Sequence, residues 1–320
     1  MIYLRPSSRR KLSDFGIEVP LLDDRVELTL KALSEKALAQ VFQSEKPWIV
    51  EADLTRVHTT SYIKELLSPK PDQAVMKCYE LVDQNGNFHR YDPKKQTKSF
   101  IDLVNYALSH VQGTYEASLH ALNDGHCFFL GGGLHHAFPD EGRGFCLIHD
   151  VAIAIRKLQA LNKIETAWVI DIDAHKGDGT ALIFADDATV KTFSIHMKQG
   201  WPLDMGEGAW HTASTVDVEI SAHEEQDYNK KLNEGLMLLA KDAQIPDICF
   251  VVMGSDPYEH DVLPSAGLLK LSLSQMKERD QLVRKFLEEK KIPQVYVMAG
   301  GYGPRVHEVY AQFANEILYP

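Results

Sequence analysis

The chain has 320 residues, 44% hydrophobic and 25% charged, with a formal net charge of −11. Such a composition belongs to a globular protein with apolar surface enough for one large core. The acidic balance argues against non-specific binding to nucleic acid and suits cationic substrates.

Cys78, Cys127, Cys146 and Cys249 form no Cys-x-x-Cys pair and read as reduced, mostly buried thiols. Met1–Lys11 is basic but carries no apolar stretch of signal-peptide length, and the longest apolar runs are strand-sized. The expectation is a cytoplasmic protein with neither a membrane nor a nucleic-acid partner. In chain order, Asp24-Arg25 opens a helical pattern, and the polar stretch Ser68–Gln96, with Pro69, Pro71, Asn85-Gly86-Asn87 and Pro93, predicts a loop excursion. Ile101, Val104, Leu108, Val111, Tyr115, Leu119 and Leu122 step by threes and fours, one apolar stripe of a helix. Then come apolar, β-branched runs at Cys127–Leu130, Ala167–Ile172, Val190–Ile195, Ile248–Met253 and Val295–Met298, the pattern of strands covered on both faces. Helical segments separate them at Val151–Leu161, Tyr228–Ala243 and Ser274–Lys291. Gly303-Pro304 followed by Val306, Val309, Tyr310 and Phe313 predicts a last helix. Strand, helix, strand in repetition predicts an α/β fold with a mostly parallel sheet and helices on both faces. No linker or repeat divides the chain, so residues 1–320 read as a single domain.

Each of the five predicted strands ends in a polar or glycine-rich signal. They are Gly131-Gly132-Gly133-Leu134-His135-His136, Asp171-Ile172-Asp173-Ala174-His175-Lys176-Gly177-Asp178-Gly179, Ser194-Ile195-His196, Gly254-Ser255-Asp256 and Gly300-Gly301-Tyr302-Gly303. In parallel sheets, sites form at the carboxyl ends of strands, so these residues should share one crevice. Asp171, Asp173 and His175 alternate and project to one side of an extended chain. An Asp-x-His pair with Asp256 offers three ligands of the kind zinc takes, leaving a position open for water or substrate. The plain alternative is that Asp171 and Asp173 cap a helix or bind loop amides. His135 and His136 can exchange protons near neutral pH, with Asp171 and Asp178 available to orient them. Tyr302 offers a phenol donor, or is ordinary packing.

The segments GGGLHHAFPDEGRGFCLIHD, DIDAHKGDGT, SIH, GSDPYEHDVLPSAGL and AGGYG resemble, in order, those of the histone deacetylase branch of the arginase/deacetylase superfamily. Val57-His58-Thr59 before Tyr62 matches more loosely. The resemblance implies Asp173, His175 and Asp256 as zinc ligands. It implies His135 and His136 as tandem acid/base histidines, paired with Asp171 and Asp178, and Tyr302 as donor to the substrate carbonyl. Gly144, Phe145 and Trp201 match the walls of an acyl-lysine channel, and Gly300 and Gly301 the glycines beside the substrate. A potassium ion is implied at Asp171, Asp173, His175, Ser194 and Ile195. Lys176 stands where most members have a second histidine, a departure that resembles the class IV branch. The implied function is a zinc-dependent deacylase acting on acyl-lysine, with an acetylpolyamine amidohydrolase or a silent acyl-lysine binding relative as alternatives. A two-manganese ureohydrolase fits poorly, since Lys176 follows His175 and Pro257 follows Asp256 where further carboxylates would be needed.

Overall fold

Apolar runs with no polar face can form strands only where both sheet faces are covered, and the five predicted runs do so at the centre of one sheet. A computed structural model describes all residues except 10, 22, 23, 84, 242 and 243. Its eight strands are β1 (Ile2–Leu4), β2 (Val41–Gln43), β3 (His126–Phe129), β4 (Ala167–Asp171), β5 (Val190–Met197), β6 (Val216–Ile220), β7 (Ile248–Val252) and β8 (Gln294–Val297). They pair in the order β2-β1-β3-β8-β7-β4-β5-β6, and every pairing is parallel.

Five short helices, α1 (Arg25–Lys31), α2 (Glu35–Leu38), α3 (Glu51–Leu54), α4 (Thr60–Leu66) and α5 (Asp72–Cys78), precede the long α6 (Phe100–Asp124). Then follow α7 (Asp150–Ala160), α8 (Asp178–Ile183), α9 (Tyr228–Ala240), α10 (Leu273–Glu289) and α11 (His307–Gln312), which continues through a π-helical stretch, Phe313–Leu318. The helix expected at Tyr228–Ala243 ends at Ala240, and residues 242 and 243 lie outside the described residues.

The period-two alternation of the strands divides the core. Ile170, Phe193, Val251 and Tyr296 pack with Leu232 and Leu236 of α9, Val283 and Leu287 of α10 and Val309 of α11. Val169, Phe250, Val295 and Val297 point the other way, against Tyr115, Ala117 and Ala121 of α6 and Val151, Ile155 and Leu158 of α7. Helices thus cover both faces. No helix among the described residues is long and apolar enough to cross a membrane.

The stretch Ser68–Gln96 is not the loop its prolines predict. It contains α5, an antiparallel bridge of Val82 to Phe88, and a second bridge of Tyr91 to Ile17. Val75, Cys78, Tyr79 and Leu81 bury against Leu103 and Val104 of α6 in a third apolar cluster. Within α6 the deepest face includes His110, Gly113, Thr114, Ala117, Ser118 and Ala121, while Ile101, Leu108, Leu119 and Leu122 of the predicted stripe are only partly buried. Gly113 makes room for the Phe129 ring of β3, and an apolar stripe does not register such small residues.

Candidate active site

The strand order places the ends of β3, β8, β7, β4 and β5 side by side, and these are the strands whose ends carry the polar signals. Asp171 is the last residue of β4 and lies opposite Ser194 of β5 and Val252 of β7. Beyond the strand ends, ligand atoms of Asp173, His175 and Asp256 lie within 4.8 Å of one another. His175 Nδ1 is 3.2 Å from Asp173 Oδ1 and 3.0 Å from Asp256 Oδ2. The remaining carboxylate oxygens accept backbone N–H groups, Asp256 Oδ1 from Ala174 (2.9 Å) and Asp173 Oδ2 from Gly300 (3.0 Å). A Cβ at Gly300 would lie 2.4 Å from Asp173 Oδ2 and 2.7 Å from Asp256 Oδ2, so only glycine lets the chain pass so close.

The electrostatics of this triad call for a cation. Burial, reinforced by the charge of Asp173, pushes the Asp256 carboxyl up to about 6. Burial also opposes charge on Asp173, but His135 and His175 overcome it and hold that carboxyl below the usual carboxylate range. Burial opposes a proton on His175 as well, yet Asp173 and Asp256 outweigh it and push the imidazole up to about 10. In the protein alone a proton on His175 offsets one of the two carboxylate charges and leaves the other for a cation to answer. Two carboxylate oxygens and an imidazole nitrogen are also the donor set of a catalytic zinc site, so the residues fit the metal.

The tandem histidines are held apart in role by different carboxylates. His135 Nδ1 is 2.6 Å from Asp171 Oδ2, and His136 Nδ1 is 2.7 Å from Asp178 Oδ1. Burial works to strip His135 of its proton, but Asp171 and Asp173 outweigh it and push this group up to about 9. His136 falls well below its ordinary value, through burial first and then the charges of His135 and His175. Burial pushes Asp178 up to about 6 against the pull of Arg143, whose Nε is 3.6 Å from Asp178 Oδ2.

Tyr302, buried against the cavity, has its backbone N–H donated to Asp261 Oδ2 (2.6 Å). A cavity of about 230 Å³ is lined by His136, Gly144, Phe145, His175, Trp201, Leu263, Ser265 and Tyr302, together with Glu80 and Arg90, whose side chains reach solvent. Such a volume suits a narrow side chain rather than a large ligand. Phe145 and Gly144 both take positive φ, 66° and 54°. A Cβ on Gly144 would sit 2.4 Å from the Trp201 ring, so glycine there sets the channel width. Gly300 lines a deeper cavity that adjoins Asp173 and Tyr302, whereas Gly301 packs on the Ser255 hydroxyl behind it. Ser194 Oγ lies 3.0 Å from His196 Nδ1 and accepts from Gly177 N (3.3 Å), and Ile195 buries its side chain in the core. Lys176 pairs with Asp217 at 2.7 Å, turned away from the triad.

Several contributors escape sequence reasoning. Arg279 of α10 is fully buried and donates from Nη1 to the carbonyls of Ile172 (3.1 Å) and Gly254 (2.7 Å), tying the extension of β4 to that of β7, with Asp280 as its counter-charge. Asp150 accepts from Gly133 N (2.9 Å), Leu134 N (2.7 Å) and the Thr114 hydroxyl, which fixes the triple-glycine turn. Arg279-Asp280 looks like any exposed helical pair in sequence. Asp150, closing the histidine-bearing segment just before an apolar helix, and Asp261, in the segment after Asp256, offered a signal of position.

The chain has counterparts among known proteins. The family model described as the histone deacetylase domain matches residues 19–318. The chain is 33% identical over 216 residues to an uncharacterized protein of Picosynechococcus sp., covering 65% of this chain and 66% of that protein. It is 28% identical over 276 residues to histone deacetylase 2 of Arabidopsis thaliana, covering 84% and 64%, so both matches span just under two thirds of the relative's length. With the acetoin utilization protein AcuC of Staphylococcus aureus it shares 30% identity over 308 residues, 92% of this chain and 75% of the other. Among solved structures, a histone deacetylase homologue from Aquifex aeolicus superposes with a TM-score of 0.73 at 17% identity, over 98% of this chain and 82% of that one. An acetylpolyamine aminohydrolase from Burkholderia pseudomallei does so at 0.72 and 19%, over 98% and 97%; at these identities the likeness establishes the fold. Matched by the domain model over nearly its whole length, the chain belongs to the histone deacetylase family, a hydrolase family of deacetylases and amidohydrolases.

Proposed function

We propose that this chain, acting as a single domain, is a zinc-dependent deacylase that hydrolyses the amide of acyl-lysine in peptides or proteins. The observation that carries the reading is the convergence, at the floor of one narrow aromatic channel, of the Asp173-His175-Asp256 triad, the neutral imidazole of His136 and the phenol-bearing Tyr302. Zinc held by the triad supplies Lewis acidity toward the amide carbonyl and lowers the pKa of water. Phe145 and Trp201 flank the methylene stem of the substrate. His136, with Nδ1 committed to Asp178, takes the proton of the attacking water at Nε2. Tyr302 donates its phenol to the developing oxyanion. The leaving amine receives a proton from the histidine pair, and His135 holds one against Asp171.

A potassium ion at Asp171, Asp173, His175, Ser194 and Ile195 is part of this reading, supported by the register that sets Asp171 beside Ser194. Lys176 in place of a second histidine favours the class IV branch, and the absence of a long membrane-crossing helix among the described residues is consistent with a cytoplasmic location. An acetylpolyamine substrate is the second reading, favoured by the fold likeness over 97% of an acetylpolyamine aminohydrolase.

The test is metal analysis of the purified protein together with kcat/KM for acetyl-lysine and longer acyl-lysine peptides beside acetylputrescine and acetylspermidine. About one zinc per chain and a peptide preference are expected for a three-ligand site. A polyamine preference beyond about tenfold, which is ~1.4 kcal/mol of transition-state discrimination, overturns the substrate assignment.

A further inference from the structure

The mouth of the channel is built by the segment that the sequence marks as a loop. Phe145 N–H donates to the Cys78 carbonyl (3.2 Å), and its ring stacks on Tyr79 with centroids 5.9 Å apart. The Arg90 guanidinium lies over the same ring, 5.8 Å from its centroid, and pairs with Glu80 at 2.8 Å. Glu80 and Arg90 are the acidic and basic side chains that line this opening. An adjoining groove adds Lys77, Glu141 and Arg143, with Lys77 paired to Glu141 and Arg143 stacked on Trp201 and Trp210. Lys77 and Arg90 therefore stand against Glu80 and Glu141 at the rim, while Arg143, buried, is turned to Asp178. On a chain of net charge −11, the way into the site is locally not acidic.

We propose that the Glu80–Arg90 pair is a specificity element: Arg90 occupies the rim carboxylate, so that the channel takes an uncharged acyl-lysine stem and discriminates against the free ammonium groups of acylpolyamines. The inference rests on the deacylase reading above. Acylation removes the charge of a lysine side chain, whereas an acetylpolyamine carries ammonium groups a few bonds beyond its amide and presents them at the mouth. With Arg90 in place such a cation meets a neutralised carboxylate and a like charge. Without it, Glu80 becomes an unpaired acceptor at the rim. At distances of this order and intermediate screening, one unit charge changes relative affinity on the order of tenfold.

The test uses N8-acetylspermidine and a capped acetyl-lysine peptide with no other charge. Arg90 has φ 53°, a conformation asparagine tolerates, and its carbonyl bond to Glu18 N (2.8 Å) is independent of the side chain. Arg90→Asn should raise the polyamine-to-peptide ratio of kcat/KM on the order of tenfold, and Glu80→Gln should lower it. Arg90→Lys, which keeps the charge, should hold the ratio within about twofold of the parent. An unchanged ratio in Arg90→Asn, or a shift in Arg90→Lys equal to that in Arg90→Asn, overturns the proposal. Dissociation constants for the same two ligands, measured by calorimetry, separate it from the reading beneath. If the binding ratio shifts while no variant turns over either ligand, the deacylase reading falls and charge selection stands. If the binding ratio does not move, charge selection falls whatever the turnover.

Discussion

His135 and His136 each commit Nδ1 to a separate buried carboxylate, Asp171 or Asp178, and the two imidazoles are thereby driven in opposite directions. The one beside Asp171 and Asp173 is pushed toward holding its proton; the other, by burial first and then by the charges of His135 and His175, is pushed toward losing it. Tyr302 complements them, with its backbone tied to Asp261 and its ring against the cavity. Tyr302→Phe removes one hydroxyl without disturbing that backbone bond. Turnover should fall by on the order of a hundredfold or more, with KM and zinc content little changed. Unchanged kcat under metal-saturating conditions makes Tyr302 a packing residue. The grouping was legible: the motif series names Asp173, His175, Asp256, His135, His136, Asp171 and Asp178, and the structure brings these side chains together. Arg279 was not, because it binds backbone carbonyls of two segments distant in sequence, a contact that leaves no spacing pattern, while Asp150 and Asp261 offered only their position in the motif segments.

At the scale of elements, legibility followed the length of the apolar run. The five strands read from apolar runs, β3, β8, β7, β4 and β5, are contiguous at the sheet centre; of the three missed, β2 and β6 are the edges and β1 lies between β2 and β3. β1 is fully buried but has only three residues, as has β2, and β6 alternates charge with partial burial, Val-Asp-Val-Glu-Ile. Three residues, or an alternating edge strand, carry no continuous apolar signal long enough to read. The same limit explains α5 and the bridges of residues 68–96, whose prolines outweigh their few buried side chains in any local reading. Helix α10 was read correctly as a helix, yet its structural contribution runs through one arginine. Arg279 clamps the carbonyls of Ile172 and Gly254 and neutralises Asp280. Arg279→Met fills similar volume but strands a buried carboxylate and two carbonyls. It should cost about 3–5 kcal/mol of stability, read as a lowered denaturation midpoint, and weaken metal affinity. Arg279→Met with Asp280→Leu should recover part of the stability, since both charges are then gone. A single variant as stable as the parent would show that the strand extensions hold without the clamp.

Over the whole molecule, one parallel sheet gathers five chain segments, drawn from His126 to Tyr302, onto a single edge. The cost of that convergence is like charge: Asp171, Asp173, Asp178 and Asp256 are all buried within one site, answered in the protein alone by protons on His135 and His175. A divalent cation in the proposed site would replace the His175 proton and join the extension of β4 to that of β7, two segments more than seventy residues apart in sequence, so its binding should be linked to global stability. An unfolded chain does not preform the triad, and zinc at a hundredfold excess over its dissociation constant contributes about 2.7 kcal/mol. In a chain of this size that is a rise in melting temperature on the order of 5 °C or more. Chelator-treated protein should therefore melt lower than zinc-loaded protein, and added zinc should restore the difference. Asp256→Asn should abolish the response, because it removes one of the two anionic ligands while leaving an amide oxygen to accept the Ala174 N–H. Tyr302→Phe should keep it. Equal melting of the apo and zinc-treated parent protein would remove the metal from the structural account, and a full zinc response in Asp256→Asn would remove that residue from the ligand set.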